Sequence, residues 1–298
     1  MSSPPSAPRS RPRPRPAAPP RARPTFAARF LRTPIAVAGA VIVGGYLLAA
    51  GAAPLLAPVD PLAMASQALL APPGGPHPFG TDQFGRDVLS RLLYGARVSL
   101  AVSFASVLMA LAVGGAAGVA AGYFGGALDG VLMRSMDVIF AFPAVLLAIA
   151  IMAAAGTAVW TIVAAIGVVY TPQFARISRA SALTVRGLEY VDAASALGAG
   201  TGRILRSHIL PNIAAPLIVQ TSLSLSLAIL TESALSFLGL GTQPPTPSWG
   251  NMLAESRRFM ALASWTAVFP GAAIALIVLG FNLIGDGLRD LLDPRLRV

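Results

Sequence analysis

The side chains that could catalyse a reaction or bind a metal are few in this chain, and they are widely spaced. Its two histidines, His77 and His208, are too far apart in sequence to predict a shared metal site. Cysteine is absent, which excludes disulfides and thiolate chemistry. All 22 basic residues are arginine. A P-loop needs a lysine to reach the nucleotide phosphates, so the sequence excludes a Walker-type ATPase and also lysine Schiff-base chemistry.

A polar stretch at residues 189–212, EYVDAASALGAGTGRILRSHILPN, separates two apolar segments. Asp192 is followed by two alanines, and such small side chains let a helix approach another protein surface closely. Glycines at alternate positions from Gly198 to Gly202 are expected to break the helix. Pro211 has no N–H to donate and is expected to begin the next helix. The stretch is therefore predicted to form two short helices joined by a glycine turn, followed by the next span. This hairpin is interpreted as a docking element for a partner, or as an amphipathic hairpin on the membrane surface.

Glu232 is a second candidate functional residue. An ionised carboxylate inside hydrocarbon is costly, and such a residue is a functional candidate by default. It lies close to the expected outer end of its apolar segment. Two interpretations therefore stay open: a structural hydrogen-bonding role, or a place in a transport pathway or its outer gate.

Membrane-spanning helices are the elements that must position these residues. The chain is 55% hydrophobic and 11% charged, with a mean hydropathy of +0.70, whereas a soluble domain carries about 25% charged residues. A helix needs about 20 apolar residues to cross the hydrocarbon. Charge-free windows predict six spans, at about 34–56, 99–121, 133–153, 158–178, 213–235 and 266–284.

Arginine placement predicts the orientation of these spans. With the N-terminus inside, 17 arginines fall on the cytoplasmic side and 5 on the other, as expected for cytoplasmic loops rich in basic residues. Both termini and the loop at 189–212 are then cytoplasmic. The Pro/Arg-rich residues 1–24 are predicted to be a disordered tail that binds anionic lipid rather than nucleic acid.

The loop at 189–212 resembles the EAA loop of the permease subunits of bacterial ABC importers. That pattern is Glu-Ala-Ala, three residues, Gly, nine residues, Ile, one residue, Leu-Pro. The chain follows it from Asp192 through Gly198 to Leu210 and Pro211. Aspartate replaces glutamate, which keeps the charge, and His208 stands at the isoleucine position.

Three further stretches resemble the second permease subunit of dipeptide, oligopeptide and nickel importers. They are HPFGTDQFGRDVLSRLLYGARVSL at 77–100, ESALSFLGLGTQPPTPSWGNMLAESRRF at 232–259, and NLIGDGLRDLLDPRLR at 282–297. The apolar positions at 88–93 on their own predict an amphipathic interfacial helix, or a scaffold that contacts a partner outside the membrane.

The resemblance implies an all-α membrane protein with the six-helix architecture of a type I importer permease. After the tail at 1–24, residues 25–97 hold the first transmembrane helix and an extracytoplasmic segment, and 98–298 hold the permease core. The implied role is a permease subunit without catalytic activity or a bound cofactor or metal, in the bacterial inner membrane. The residues implied to couple transport to ATP hydrolysis are Glu189, Asp192, Ala193, Ala194, Gly198, Arg203, His208, Leu210 and Pro211.

The resemblance also implies several partners. A second, homologous permease would complete the pathway for peptides, nickel or related small solutes. Two ATP-binding subunits would hold ATP and magnesium, and an extracytoplasmic binding protein would deliver the substrate. Two other classes stay open from the residues alone: a stand-alone secondary transporter, which needs buried acids that the spans largely lack, and a membrane-embedded enzyme, for which no nucleophile–base pair stands out.

Overall fold

The computed structural model describes residues 29–292, and its regular structure in that range is helical, with only two isolated β-bridges. This confirms the predicted all-α class. The predicted tail at 1–24 lies outside the described residues. The helices are α1 (Pro34–Gly51), α2 (Ala53–Leu56), α3 (Val88–Phe124), α4 (Gly126–Phe140), α5 (Ala144–Ala155), α6 (Val159–Arg186), α7 (Glu189–Ala196), α8 (Thr201–Ile204), α9 (Leu210–Phe237), α10 (Trp249–Ser256) and α11 (Trp265–Leu292).

Four helical segments are long and apolar enough to cross a membrane: α1, α3, the continuous run Thr201–Phe237 that contains α8 and α9, and α11. A fifth crossing is added if α4 and α5 form one broken span. The helix α6, which contains the predicted span at 158–178, is 28 residues long but is not among these segments. Length and composition therefore support four or five of the six predicted spans.

The third predicted span, at 133–153, is wrong as a single straight helix. The helices α4 and α5 meet there at 92°. The break precedes Pro143, whose ring removes a backbone N–H and disfavours helical geometry at Phe142 before it. Apolar composition continues through the break, so a hydropathy window alone does not reveal the elbow.

The interfacial helix predicted from residues 88–93 is not separate from the second predicted span, because α3 runs through both. The Asp87 carboxylate accepts a hydrogen bond from the Ser90 N–H at 2.7 Å and caps the helix start. The helix ends at Gly125, where φ is +68°. Its 37 residues extend for about 55 Å, well beyond a hydrocarbon layer of about 30 Å.

The helices α3 and α6 approach each other backbone to backbone along one face. Glycines four residues apart on α3 face residues four apart on α6, and a Cβ at any of these glycines would overlap an α6 carbonyl oxygen. The facing pairs are Gly114–Thr171, Gly118–Ala175 and Gly122–Arg179. Small residues permit this close approach between membrane helices. Because the residue numbers rise together in both helices, α3 and α6 run parallel.

Substitution of Gly118 by alanine is expected to destabilise the fold by about 1–3 kcal/mol, since the new methyl group is forced against the Ala175 carbonyl. Gly115→Ala is the matched control, because a Cβ at Gly115 meets its nearest neighbour at an ordinary 3.8 Å. The measurement is the midpoint of thermal loss of the monodisperse protein in detergent. Equal midpoints for the two variants would contradict the described α3–α6 contact.

Candidate functional site

The polar stretch at 189–212 folds as short helices joined by a left-handed turn. The helix α7 ends just before Gly198, which takes a φ of +85°. The Gly198 N–H donates to the Ser195 carbonyl at 2.9 Å, and the Ala199 N–H donates to the Ala194 carbonyl at 3.0 Å. These two bonds form a Schellman motif, in which glycine is favoured because a Cβ resists the left-handed conformation.

A small apolar cluster fixes this hairpin to the long helices. Val191 of α7 and Ile204 of α8 are each 3% exposed. They pack in one cluster with Val119 near the end of α3, Val185 near the end of α6, and the buried Ile209 that precedes α9. The hairpin is therefore attached where α3 and α6 end and α9 begins.

Most of the coupling residues predicted from the sequence lie on the accessible side of this hairpin. Those that are exposed are Glu189, Asp192, Ala193, Gly198, Arg203, Leu210 and Pro211, while Ala194 and His208 are half-buried. Leu197 lies at the tip and is 89% exposed. Sequence reasoning missed Leu197, although a large apolar residue directly before the helix-ending glycine was a signal for an apolar tip.

One local prediction within the hairpin is wrong. Gly202 lies inside α8 rather than in the break between helices. Pro211 lies in the first turn of α9, as predicted, although the helical path is continuous from Thr201 to Phe237. A π turn at Leu205–Ile209 precedes the proline. Such a turn changes the hydrogen-bond register, and here it joins α8 to α9.

A polar contact joins α7 to the start of α9. The Asn212 side-chain amide donates to the Tyr190 hydroxyl at 3.2 Å and to the His208 carbonyl at 2.6 Å. The Tyr190 and His208 rings meet edge to face, with centroids 5.7 Å apart. The histidine that departs from the family pattern is thus held by an aromatic neighbour across the hairpin.

Glu232 lies far from the hairpin, at the other end of α9, and is fully buried at 0% exposure. Its carboxylate accepts hydrogen bonds from the hydroxyls of Ser236 at 2.8 Å and Ser233 at 3.5 Å. Ser99 of α3 also interacts with it. These contacts join α9 to α3, so the geometry within this chain favours the structural interpretation over the pathway interpretation.

A buried charge cluster near Glu232 was missed by the sequence analysis. It consists of Asp82, Arg86, Arg91 and Glu255. Glu255 Oε2 accepts hydrogen bonds from Arg86 Nη2 at 2.6 Å and Arg91 Nη2 at 3.0 Å, and Asp82 Oδ2 accepts one from Arg86 Nε at 2.6 Å. Buried charges persist only when they are paired. The cluster therefore fastens the segment before α3 to α10.

The charge cluster and the hairpin lie at opposite ends of α3. Arg91, in the first turns of this helix, belongs to the cluster, whereas Val119, near its end, contacts the hairpin. Helical rise places these two residues about 42 Å apart. If α3 crosses a membrane, the two sites face different compartments.

The sequence matches the family model described as "Binding-protein-dependent transport system inner membrane component" over residues 114–298, which is more than half of the chain. The chain belongs to this family of inner-membrane transport components. Residues 25–73 match a second model, "N-terminal TM domain of oligopeptide transport permease C". The resemblance to peptide-importer permeases is thereby confirmed.

Curated relatives of this permease cover nearly its whole length. It is 43% identical over 266 residues to the dipeptide transport system permease protein of Alkalihalophilus pseudofirmus, covering 89% of this chain and 88% of the relative. It is 43% identical over 273 residues to the glutathione transport system permease protein of Pectobacterium atrosepticum, covering 91% of each. A probable D,D-dipeptide transport system permease protein of Escherichia coli is 42% identical over 263 residues, covering 88% of each.

Removal of the Glu255 carboxylate from this permease is expected to leave Arg86 and Arg91, which are 3% and 2% exposed, without their shared acceptor. Loss of one partner from a buried charge pair costs about 3–5 kcal/mol. Glu255→Ala should therefore strongly lower the yield and the thermal midpoint of folded permease. Glu255→Gln, which keeps a neutral acceptor, should fall between it and wild type. A wild-type midpoint for Glu255→Ala would show that the cluster does not stabilise the fold.

Proposed function

We propose that this permease crosses the membrane six times. The parallel packing of α3 and α6 requires the chain between them to return across the membrane. Only α4 and α5 lie between them, so this broken pair supplies the return crossing. The helix α6 is then a crossing as well, because its 28 residues extend for about 42 Å. In this arrangement the bent span formed by α4 and α5 connects the closely packed helices α3 and α6.

The hairpin at 189–212 is proposed to lie in the cytoplasm together with both termini. The excess of arginine on that side, 17 against 5, supports this orientation. The charge cluster, at the opposite end of α3, then lies on the extracytoplasmic side. The orientation of α3 therefore determines the compartment of both the hairpin and the charge cluster.

The proposed function is a non-catalytic permease subunit of an ABC importer, coupled to ATP hydrolysis through the hairpin. The observation that supports it is an exposed hairpin, with a glycine turn at Gly198, that is attached to the ends of α3 and α6 and to the start of α9. Ala193 and Leu197 present a small-residue face and an apolar tip that suit a groove on an ATP-binding subunit. Two such subunits would bind ATP and magnesium, and their closure would tilt the attached helices.

Two further partners complete this proposal. A second, homologous permease would form the other half of the pathway, and an extracytoplasmic binding protein would deliver substrate. Peptides are the proposed substrates, because relatives more than 40% identical are named for transport of dipeptides and of glutathione, itself a modified tripeptide. These names favour peptides over the nickel and other small solutes that the resemblance alone also allowed.

Gly198→Val is expected to weaken docking of the ATP-binding subunits, since valine at a φ of +85° costs about 1–3 kcal/mol in backbone strain and shifts the tip of the hairpin. No atom lies within 4 Å of the position of an added Cβ at Gly198, so the effect comes from the backbone and not from a clash. Co-purification of the ATP-binding subunits with the permease measures it. Gly202→Ala, within α8 and equally uncrowded, is the control and should retain them at wild-type yield.

The decisive experiment on function is uptake of a labelled dipeptide by cells that carry the complete system. Replacement of the P-loop lysine in the partner ATP-binding subunits should abolish uptake, because this chain has no lysine with which to form such a site. Undiminished uptake in that strain would refute the importer assignment in favour of a stand-alone transporter.

A further inference from the structure

A groove of about 780 Å³ opens beside the charge cluster, at the end of the bundle opposite the hairpin. Its size falls within the range of about 300–1,000 Å³ that is typical of small-molecule sites. Acidic, basic and aromatic side chains share its wall, among them Gln83, Phe84, Arg86, Glu255, Arg258 and Phe259. Both signs of charge are therefore available to one ligand.

Glu255, which lines this groove, uses only one of its two carboxylate oxygens for its hydrogen bonds to other described residues. Its hydrogen bonds to Arg86, Arg91 and Gln83 all end on Oε2, at 2.6, 3.0 and 3.5 Å. Between residues 29 and 292, no hydrogen bond reaches Oε1, and the side chain is 22% exposed. Two arginines thus fix the carboxylate while one of its oxygens can still accept a hydrogen bond from a ligand.

Arg258 supplies a guanidinium on the same wall. Its side chain is exposed, and within the described part of the chain it forms no hydrogen bond or ion pair. The neighbouring Arg257 differs, since its guanidinium lies 5.3 Å from the centroid of the Phe237 ring and does not line the groove. Arg258 can therefore donate two hydrogen bonds to a carboxylate, in the bidentate geometry that guanidinium groups favour.

We propose that this groove is an outer binding site for a short zwitterionic peptide, held before it enters the pathway. The peptide ammonium donates to Glu255 Oε1, and the terminal carboxylate accepts from Arg258. Phe84 and Phe259 contact the peptide side chains through apolar rings, which do not require a particular polar group. Such contacts suit a site that receives peptides of different sequence. The identification of the ligand as a peptide rests on the proposed function. The recognition of one ammonium and one carboxylate rests on the Glu255 carboxylate and the Arg258 guanidinium.

The test uses the assembled importer in lipid nanodiscs, without its binding protein, titrated with L-alanyl-L-phenylalanine and with the C-terminal amide of that dipeptide. The wild-type complex should bind the amide about ten-fold more weakly, because a hydrogen bond to a charged group is lost. Arg258→Gln should lower affinity for the free dipeptide about ten-fold and leave affinity for the amide unchanged. Arg257→Gln should leave both affinities unchanged.

Three results would overturn the site: no binding of the free dipeptide to wild type, equal effects of the two arginine substitutions, or unchanged dipeptide binding by Arg258→Gln. If Arg258→Gln keeps its dipeptide affinity but, once the binding protein is added to the nanodiscs, loses the stimulation of ATP hydrolysis by that protein, the groove is a docking surface for the binding protein and not a peptide site. Peptide uptake by the wild-type system is measured in parallel. If the wild-type system takes up peptide but the titration shows no dipeptide binding, only the groove assignment is refuted. If the wild-type system takes up no peptide, the proposed function itself is refuted.

Discussion

The close parallel contact between α3 and α6 is the constraint on which the rest of this bundle depends. Three glycines of α3 bring its backbone against carbonyl oxygens and Cβ atoms of α6. Two parallel neighbours cannot be joined by a short turn, so the intervening residues must form the elbow of α4 and α5. The same contact brings the ends of α3 and α6 together, and the hairpin that follows α6 packs against both ends.

Features that depend on local sequence were largely predictable. Apolar composition predicted the helical class and the approximate spans, and glycine at 198 predicted the left-handed turn that ends α7. The elbow before Pro143 was not predicted, because a hydropathy window records polarity and contains no information on direction. The continuity from Thr201 to Phe237 was not predicted, because Pro211 favours a helix start and no residue type signals the π turn at Leu205–Ile209 that joins α8 to α9.

Features that depend on distant residues were not predictable from one sequence. Arg86 and Glu255 are 169 residues apart, and neither has neighbours in sequence that indicate a partner. The hairpin could be predicted because its pattern lies within one short segment, whereas the charge cluster exists only once α10 lies beside the start of α3. The burial of Glu232 has the same origin, since it contacts Ser99 on another helix.

The unbroken length of α3 has a mechanical consequence. A helix of 37 residues without an internal proline behaves as a stiff rod of about 55 Å. The salt bridges of Arg91 hold one end of this rod, and the apolar contacts of Val119 hold the other. A tilt of about 5° pivoting at one end would displace the far end by about 5 Å over that length. The charge cluster and the hairpin therefore cannot move independently while the contacts of Arg91 and of Val119 both remain intact.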